Sequence, residues 1–395
     1  MDIQTNTHNA IAGLTGRRVL GASGVGPATL AFRKGRIDTR TAPAADHLDA
    51  GDLLVLPGIV DLHGDAFERS VMPRPGVSFS HHCALLDVDR QLLANGITTE
   101  YHGLTLSWEG GLRGDANALR MFEALQALRP RLGANHLVHL RFEAYHLDGV
   151  DLALRWMADG RVALLAINDH LPMLARRVGN PQRMAQYAER AECSPEAFIE
   201  RLRTAQAREA EVAPAVARLI SAARKAGLPV ASHDDPDSST RQQYHRQGCT
   251  IAEFPLTPDV ARLARHLGDD TVFGAPNVLR GGSHTGAPDA TEMIATGLCT
   301  VLASDYYYPA PLHAALRIAQ LGVLDLSSAW ALVSRNPAHA AGLRDRGTLA
   351  HGLRADAILV DDSQPGLPRV CATIVGGALH FAAHAFRYVA PLVVA

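Results

Sequence analysis

Along this chain short apolar runs alternate with longer stretches in which apolar residues recur at three- and four-residue spacing. Between Val55 and about Pro309 eight apolar runs read as strands: Ile59–His63, Ile97–Tyr101, Leu137–Glu143, Val162–Asn168, Pro229–His233, Thr250–Phe254, Thr271–Ala275 and Thr300–Asp305. Helical segments lie between them at Ala84–Ala94, Asn117–Leu128, Leu152–Ala158, Ala261–His266 and Asp289–Ala295. Eight strands separated by helices predict an α/β chain, a parallel (β/α)8 TIM-like barrel. One connection is too long for a single helix. Between Asn168 and Pro229 the pattern predicts two, Asn180–Glu192 and Ser194–Ala226, the second opening on a serine cap followed by proline. This insertion, about residues 171–226, can be a lid over a site, a thickened wall or a subunit contact in a homo-oligomer, and the pattern leaves all three open.

The two chain ends are patterned differently. Arg17–Leu20, Thr29–Phe32 and Arg36–Asp38 read as short strands with turn signals between them. Gly347-Thr-Leu, Ala355–Val360 and Cys371–Gly376 read the same way. Both ends are therefore expected to build one small β-sandwich, residues 1–56 plus 346–395, beside a barrel of residues 57–345. Gly21-Ala-Ser-Gly24-Val-Gly26 has the glycine spacing of a dinucleotide loop. Pro27 and the β-like Thr29–Phe32 follow where a phosphate-binding helix would have to open, so a turn is expected.

Composition narrows the partners. With 38 basic and 40 acidic residues, and a formal charge of −2, the chain advertises no basic face for nucleic acid. Any anion site must be local. No apolar run is long enough to span a bilayer, and Met1-Asp-Ile-Gln-Thr-Asn has no secretory character. Five scattered cysteines without a CxxC pair point to a reducing compartment, and the cytoplasm is expected.

The candidate chemistry lies where the strands stop. Those ends carry His63 and Asp65, Glu100 and His102, Arg141 and Glu143, Asp169 and His170, then His233 with Asp234 and Asp235, and finally Glu253, Asn277 and Asp305. A single His-x-Asp is more often a loop histidine than a ligand. Repetition at strand ends changes that, because barrel enzymes place their reacting groups there. Carboxylates brought so close would repel unless a cation stood between them. With no cysteine among the candidates, a nitrogen- and oxygen-ligated divalent metal follows: zinc first, then manganese or iron, as one ion or two. Such an ion activates water near neutral pH, and Asp305 at the last strand could carry the proton. The glycine-rich Gly274–Gly286 offers Asn277, Arg280, Ser283 and His284 with backbone N–H groups, and Arg74 lies near the same mouth. Phosphate binding and a tight turn explain its glycines equally well.

These residues resemble the amidohydrolase superfamily: Leu-Pro-Gly-Ile-Val-Asp-Leu-His63-x-Asp65 entering the barrel and Ser304-Asp305 leaving it. More narrowly the chain resembles the PhnM family, diphosphatases of the carbon–phosphorus lyase pathway. That likeness runs through Pro73-Arg-Pro75, Leu140-Arg-Phe-Glu143, Asp169-His170, Ser232-His-Asp-Asp235, Ala252-Glu-Phe-Pro255 and the whole of Gly274–Gly286. The resemblance implies an amidohydrolase-type barrel with a terminal sandwich, acting on a small phosphorylated substrate. The implied reaction is hydrolysis of alpha-D-ribose 1-methylphosphonate 5-triphosphate to the 5-phosphate and pyrophosphate. It also implies His63, Asp65, Glu143, His170, His233 and Asp305 as metal ligands, with Glu253 in reserve, and Asp305 as proton shuttle. Arg280, Ser283 and His284 would then face the phosphates. Gly64 and Ala66 stand where the family usually has Thr and Asn, and Leu171-Pro-Met-Leu174 where it has Thr/Ser-Pro-Gly-Gln. Two other readings stay open: an amidohydrolase cleaving a C–N bond, with Leu171, Met173 and Leu174 facing its ligand, and a barrel without catalysis.

Overall fold

The computed structural model describes residues 10–74, 76–283 and 286–390. The N-terminal segment forms β1 (Gly13–Gly21), β2 (Gly24–Arg33), β3 (Arg36–Asp38), β4 (His47–Asp49) and β5 (Leu54–Pro57). Eight further strands follow: β6 (Ile59–Gly64), β7 (Ile97–Leu106), β8 (Asn135–Glu143), β9 (Leu164–Asn168), β10 (Val230–His233), β11 (Ile251–Glu253), β12 (Asp270–Gly274) and β13 (Val301–Ala303). The chain ends with β14 (Ala357–Asp361), β15 (Arg369–Val375), β16 (Ala378–Ala382) and β17 (Arg387–Val389). Among the described residues no helix is long and apolar enough to cross a membrane.

The eight strands β6 to β13 pair in sequence order and all in parallel, as the alternation of strand and helix requires. Closure between the last strand and the first is made just beyond β13. Asp305 N–H donates to the His63 carbonyl and Asp65 N–H to the Asp305 carbonyl, both at 2.9 Å. Oδ1 of buried Asp61 adds a clasp, accepting from Ser304 N–H at 3.0 Å and His63 N–H at 3.3 Å. Small and branched side chains such as Leu62, Leu164, Ala231, Ile251 and Val301 fill the inside of the barrel.

Strands from both ends form one nine-stranded sheet in the order β16-β15-β14-β5-β1-β2-β3, with β4 on β1 and β17 on β4. At a bulge between Gly16 and Val19, β1 forks, pairing β4 before it and β5 after it. The two leaves enclose Leu14, Leu30, Leu48, Val55, Leu359 and Ile374. The early glycine cluster is the β1–β2 hairpin turn, Gly21 standing opposite Gly24.

Three local expectations change. Strand β7 continues past Tyr101 to Leu106, because Thr105 and Leu106 still pair with Arg141 and Phe142 of β8. Glu100 and His102 are thus mid-strand. Gly347-Thr-Leu is not a strand: Gly347 (φ 92°) crosses so tightly that a β-carbon there would lie 2.8 Å from the Arg335 Cα. The insertion holds four helices, Leu171–Arg176, Pro181–Arg190, Pro195–Gln206 and Glu209–Lys225, the long second one being broken at Ala207-Arg208. Only the fourth buries its apolar side, Val216, Leu219, Ile220 and Ala223, in the main core. The middle two share a separate small core of Met184, Ala188, Ala191 and Phe198 with Trp108 after β7. Glu109, next in the chain, binds Arg190 of this insertion.

Helix Ser238–Gln247 has no apolar stripe to announce it; of its residues only Arg241 is buried. Arg241 donates to Ser232 Oγ at 2.8 Å, Asp235 Oδ2 at 3.1 Å and the Cys249 carbonyl at 2.7 Å. Removing one partner of a buried ion pair strands the other. Arg241→Ala is accordingly expected to lower the unfolding free energy in a denaturant titration by about 3–5 kcal/mol.

Candidate metal centre at the barrel mouth

Barrel closure brings the two ends of the sequence motif together. His63 and Asp65 leave β6 and Asp305 leaves β13, and ligand atoms of all three lie within 4.8 Å of one another. The same spacing joins His63 with His233 and Glu253, and His170 with His233 and Asp234. His63 and His233 are shared, so these groups form one cluster around a common mouth. Asp234, Phe254 and Asp305, each just past a strand end, all take positive φ (56°, 49° and 56°). Such backbone is uncommon for residues with a β-carbon and is found where side chains must be aimed.

Carboxylates orient the imidazoles. Nδ1 of His63 lies 3.2 Å from Glu253 Oε1, and Nδ1 of His139 lies 2.9 Å from the Leu62 carbonyl. A carbonyl only accepts, so the His139 proton is on Nδ1 and its Nε2 is a bare acceptor. That Nε2 faces Glu253 Oε2 at 3.6 Å, and neither atom has a hydrogen-bond partner. Buried acceptors set against each other lack a positive partner, and a cation in this mouth is the kind of group that would supply one. The donor set, imidazole and carboxylate without sulfur, fits a catalytic divalent ion.

The electrostatics agree. Burial, with Arg141 and His233 nearby, holds His63 well below the usual histidine range, leaving it neutral and able to ligate. Burial and Asp65 push Asp305 up to about 8, and burial and Glu68 raise Asp65. At His170 burial works against protonation, but Glu143 and Asp234 on its two sides raise it to about 9. Without a cation, Asp305 and His170 are thus biased toward their protonated forms.

The sequence-derived candidates separate into two sets. The structure collects His63, Asp65, His170, His233 and Asp305, together with the reserve Glu253 and with Asp234. Glu143 is adjacent but differently employed: Oε1 meets His170 Nδ1 at 2.6 Å and Oε2 accepts the His170 backbone N–H at 3.3 Å. Of the substrate candidates, Arg74 and Arg280 are exposed. The Asn277 amide donates to the Pro288 carbonyl and accepts from Ala290 N–H, both at 3.0 Å, and Ser283 Oγ accepts from Ala287 N–H at 3.1 Å. His284 and Pro75 lie outside the described residues. Part of the glycine-rich stretch is helical, Ala275–Arg280. His102 is elsewhere, stacked on His136, which Asp89 holds at 3.0 Å.

Two features of the mouth have weaker sequence signals. Arg141 stands among the ligands on β8, in a period-two row with His139 and Glu143. The other is a fit between Gly64 and buried Glu100. A β-carbon on Gly64 would lie 1.9 Å from Glu100 Oε1 and 3.1 Å from Ser304 Oγ. Burial and Asp61 keep the Glu100 carboxyl well above the usual range. Gly64→Ala is expected to lower stability by about 1–3 kcal/mol through overpacking. In a Glu100→Ala background the same change should lose most of that cost, which a double-mutant cycle of thermal unfolding reads directly.

Comparison with known proteins fits this geometry. Residues 193–378 match the model of the family described as Amidohydrolase family. An alpha-D-ribose 1-methylphosphonate 5-triphosphate diphosphatase of Escherichia coli (strain K12) is 34% identical over 316 residues, covering 77% of this chain and 82% of that protein. The chain belongs to the PhnM family of the amidohydrolase superfamily. As a PhnM-family protein it is a hydrolase, in a superfamily that is metal-dependent. Its fold is shared with a 5-methylcytosine deaminase from Klebsiella pneumoniae liganded with phosphonocytosine (17% identity, TM-score 0.59, covering 94% of this chain and 98% of that one). An adenosine deaminase from Xanthomonas campestris with bound zinc also shares it (14% identity, TM-score 0.59, covering 96% and 94%).

Proposed function

We propose that the chain hydrolyses alpha-D-ribose 1-methylphosphonate 5-triphosphate, giving the 5-phosphate and pyrophosphate. One observation carries this reading beside the Escherichia coli relative: closure of the barrel sets Asp305 against His63 and Asp65, within 4.8 Å between ligand atoms. His63, Asp65, His233 and Asp305 would hold a divalent ion, with His170 and Asp234 offering a second place. Zinc is the first choice from the donor set, then manganese or iron. A bound ion supplies Lewis acidity and lowers the pKa of water to roughly 7.

The rest is the work of the chain's own groups. Water adds to phosphorus as the phosphoanhydride bond between the first and second phosphates breaks. The Asp305 carboxylate takes the proton that water loses and returns it to the departing pyrophosphate. Glu143 holds His170, and Glu253 holds His63, so that each ring presents its other nitrogen. Around the barrel β6, β13 and β12 are consecutive, and exposed Arg74 and Arg280 belong to the segments that follow β6 and β12. We assign them, with Ser283 and His284, to the outer phosphates, while Asn277 holds the segment together through Pro288 and Ala290.

Leu171, Met173 and Leu174 facing the ligand would fit a C–N bond hydrolase; Leu171 and Leu174 are buried while Met173 is exposed, so the three do not present one apolar face. The test is pyrophosphate release from the ribose 5-triphosphate by metal-loaded protein. No release from fully loaded protein would overturn the proposal.

A further inference from the structure

The metal reading leaves one buried cation without a role. Arg141 enters the mouth from β8 and is 5% exposed. Gly103 of β7 makes room for its stem, since a β-carbon there would lie 3.1 Å from Arg141 Cδ. Nη1 donates to Asp65 Oδ2 at 3.2 Å, Nη2 faces His233 Nε2 at 3.4 Å, and the buried Nε has no partner. Arg113, the neighbouring buried arginine, is held by both oxygens of Glu68 at 3.1 Å, so it is committed elsewhere. A guanidinium thus rests against two of the residues assigned to the divalent ion.

Two physical consequences follow. A cation taken up at His233 Nε2 uses the one lone pair that now faces Arg141 Nη2, and one taken up by Asp65 competes for the carboxylate that now accepts from Nη1; buried donors without acceptors are rare in native proteins. A permanent positive charge beside a divalent ion is also repelled unless an anion lies between them. An anion with several oxygens answers both, and the planar guanidinium fork matches two oxygens of one phosphoryl group.

We propose that Arg141 is the specificity-determining residue of the mouth, binding non-bridging oxygens of the phosphoryl group that lies beside the cation. This rests on the phosphoanhydride reading given above. It makes the site selective for phosphate anhydrides and esters over neutral amides of similar size, and it places recognition of the phosphoryl group beside the cation on a barrel strand, the outer phosphates being left to the glycine-rich segment.

The probe is pyrophosphate itself, titrated calorimetrically into metal-loaded protein, with metal content measured for each sample. Arg141→Met should weaken pyrophosphate binding by roughly 30-fold or more at unchanged metal content, with Arg141→Lys in between. Binding by Arg141→Met within about threefold of the parent would overturn the inference while leaving the phosphoanhydride reading intact. Loss of metal from both variants would overturn it as well, since Arg141 would then hold the ligand set together. If the loaded parent protein binds no pyrophosphate, the phosphoanhydride reading falls and takes this inference with it.

Discussion

The Asp305→Asn variant is expected to keep its fold and most of its metal while turning over about 10²–10⁴-fold more slowly, the usual contribution of a positioned acid–base group. The fold should survive because the backbone, not the side chain, closes the barrel here: Asp305 exchanges hydrogen bonds with His63 and Asp65 through its amide and carbonyl. Its φ of 56° is also one that asparagine tolerates. Asparagine retains an oxygen toward His63 and Asp65 but accepts no proton at neutral pH. Pyrophosphate release, melting temperature and metal content measured on the same preparation separate these roles. Turnover within about tenfold of the parent would remove Asp305 from proton transfer.

Stripping divalent ions is expected to take turnover to background and to leave a protein whose stability depends on pH in a defined sense. In the folded, metal-free state Asp305 titrates at about 8, above its unfolded value of about 4. Its contribution is therefore complete below about pH 4 and is lost as pH rises through about 8. His170, raised to about 9 from 6.5, acts in the same direction at higher pH. Glu143, lowered to about 2 by His170 against the effect of burial, acts oppositely, its contribution being lost only as pH falls through about 2. Metal uptake displaces the Asp305 proton, so apparent affinity should climb about tenfold per pH unit per proton released and level off above about 8. The gap in melting temperature between loaded and stripped protein should widen from about pH 6 and level off above about pH 8. A constant or narrowing gap would contradict the clustering of these ligands around an ion.

The barrel was legible because several of its buried parallel strands are short apolar runs that turn polar only at or just past their ends, as Leu164–Asn168 does at Asn168 and Val301–Ala303 does at Ser304 and Asp305. Strand ends were harder to place where the polar residue comes early. Glu100 and His102 interrupt β7 without ending it, and hydrogen bonding to β8 carries the strand on to Leu106. Helix Ser238–Gln247 could not be seen at all, for its one buried residue is an arginine. At the site, residue types single out His63, Asp65, His170, His233 and Asp305, and the fold brings these five to one mouth. Arg141 stands among the strand-end residues, while the glycine-rich loop carries the phosphate reading because glycines permit close approach. The signal on β8 was the row His139, Arg141, Glu143, polar at every second position where an apolar face is the rule. Why Glu143 and Glu253 point at imidazoles is a matter of neighbouring strands, which spacing along one strand does not report.

Strand β5 lies between β1 and β14, so one of its edges waits for a partner far downstream. Pro57 pairs opposite Ala357, about 300 residues later. At ribosomal rates of roughly 5–20 residues per second, a nascent chain carries that open edge for about 15–60 s. All four residues of β5 are apolar and buried in the finished molecule, so during synthesis it is a sticky template for other chains. High-level production should therefore favour aggregation, and slower translation or a holdase chaperone should raise the soluble yield.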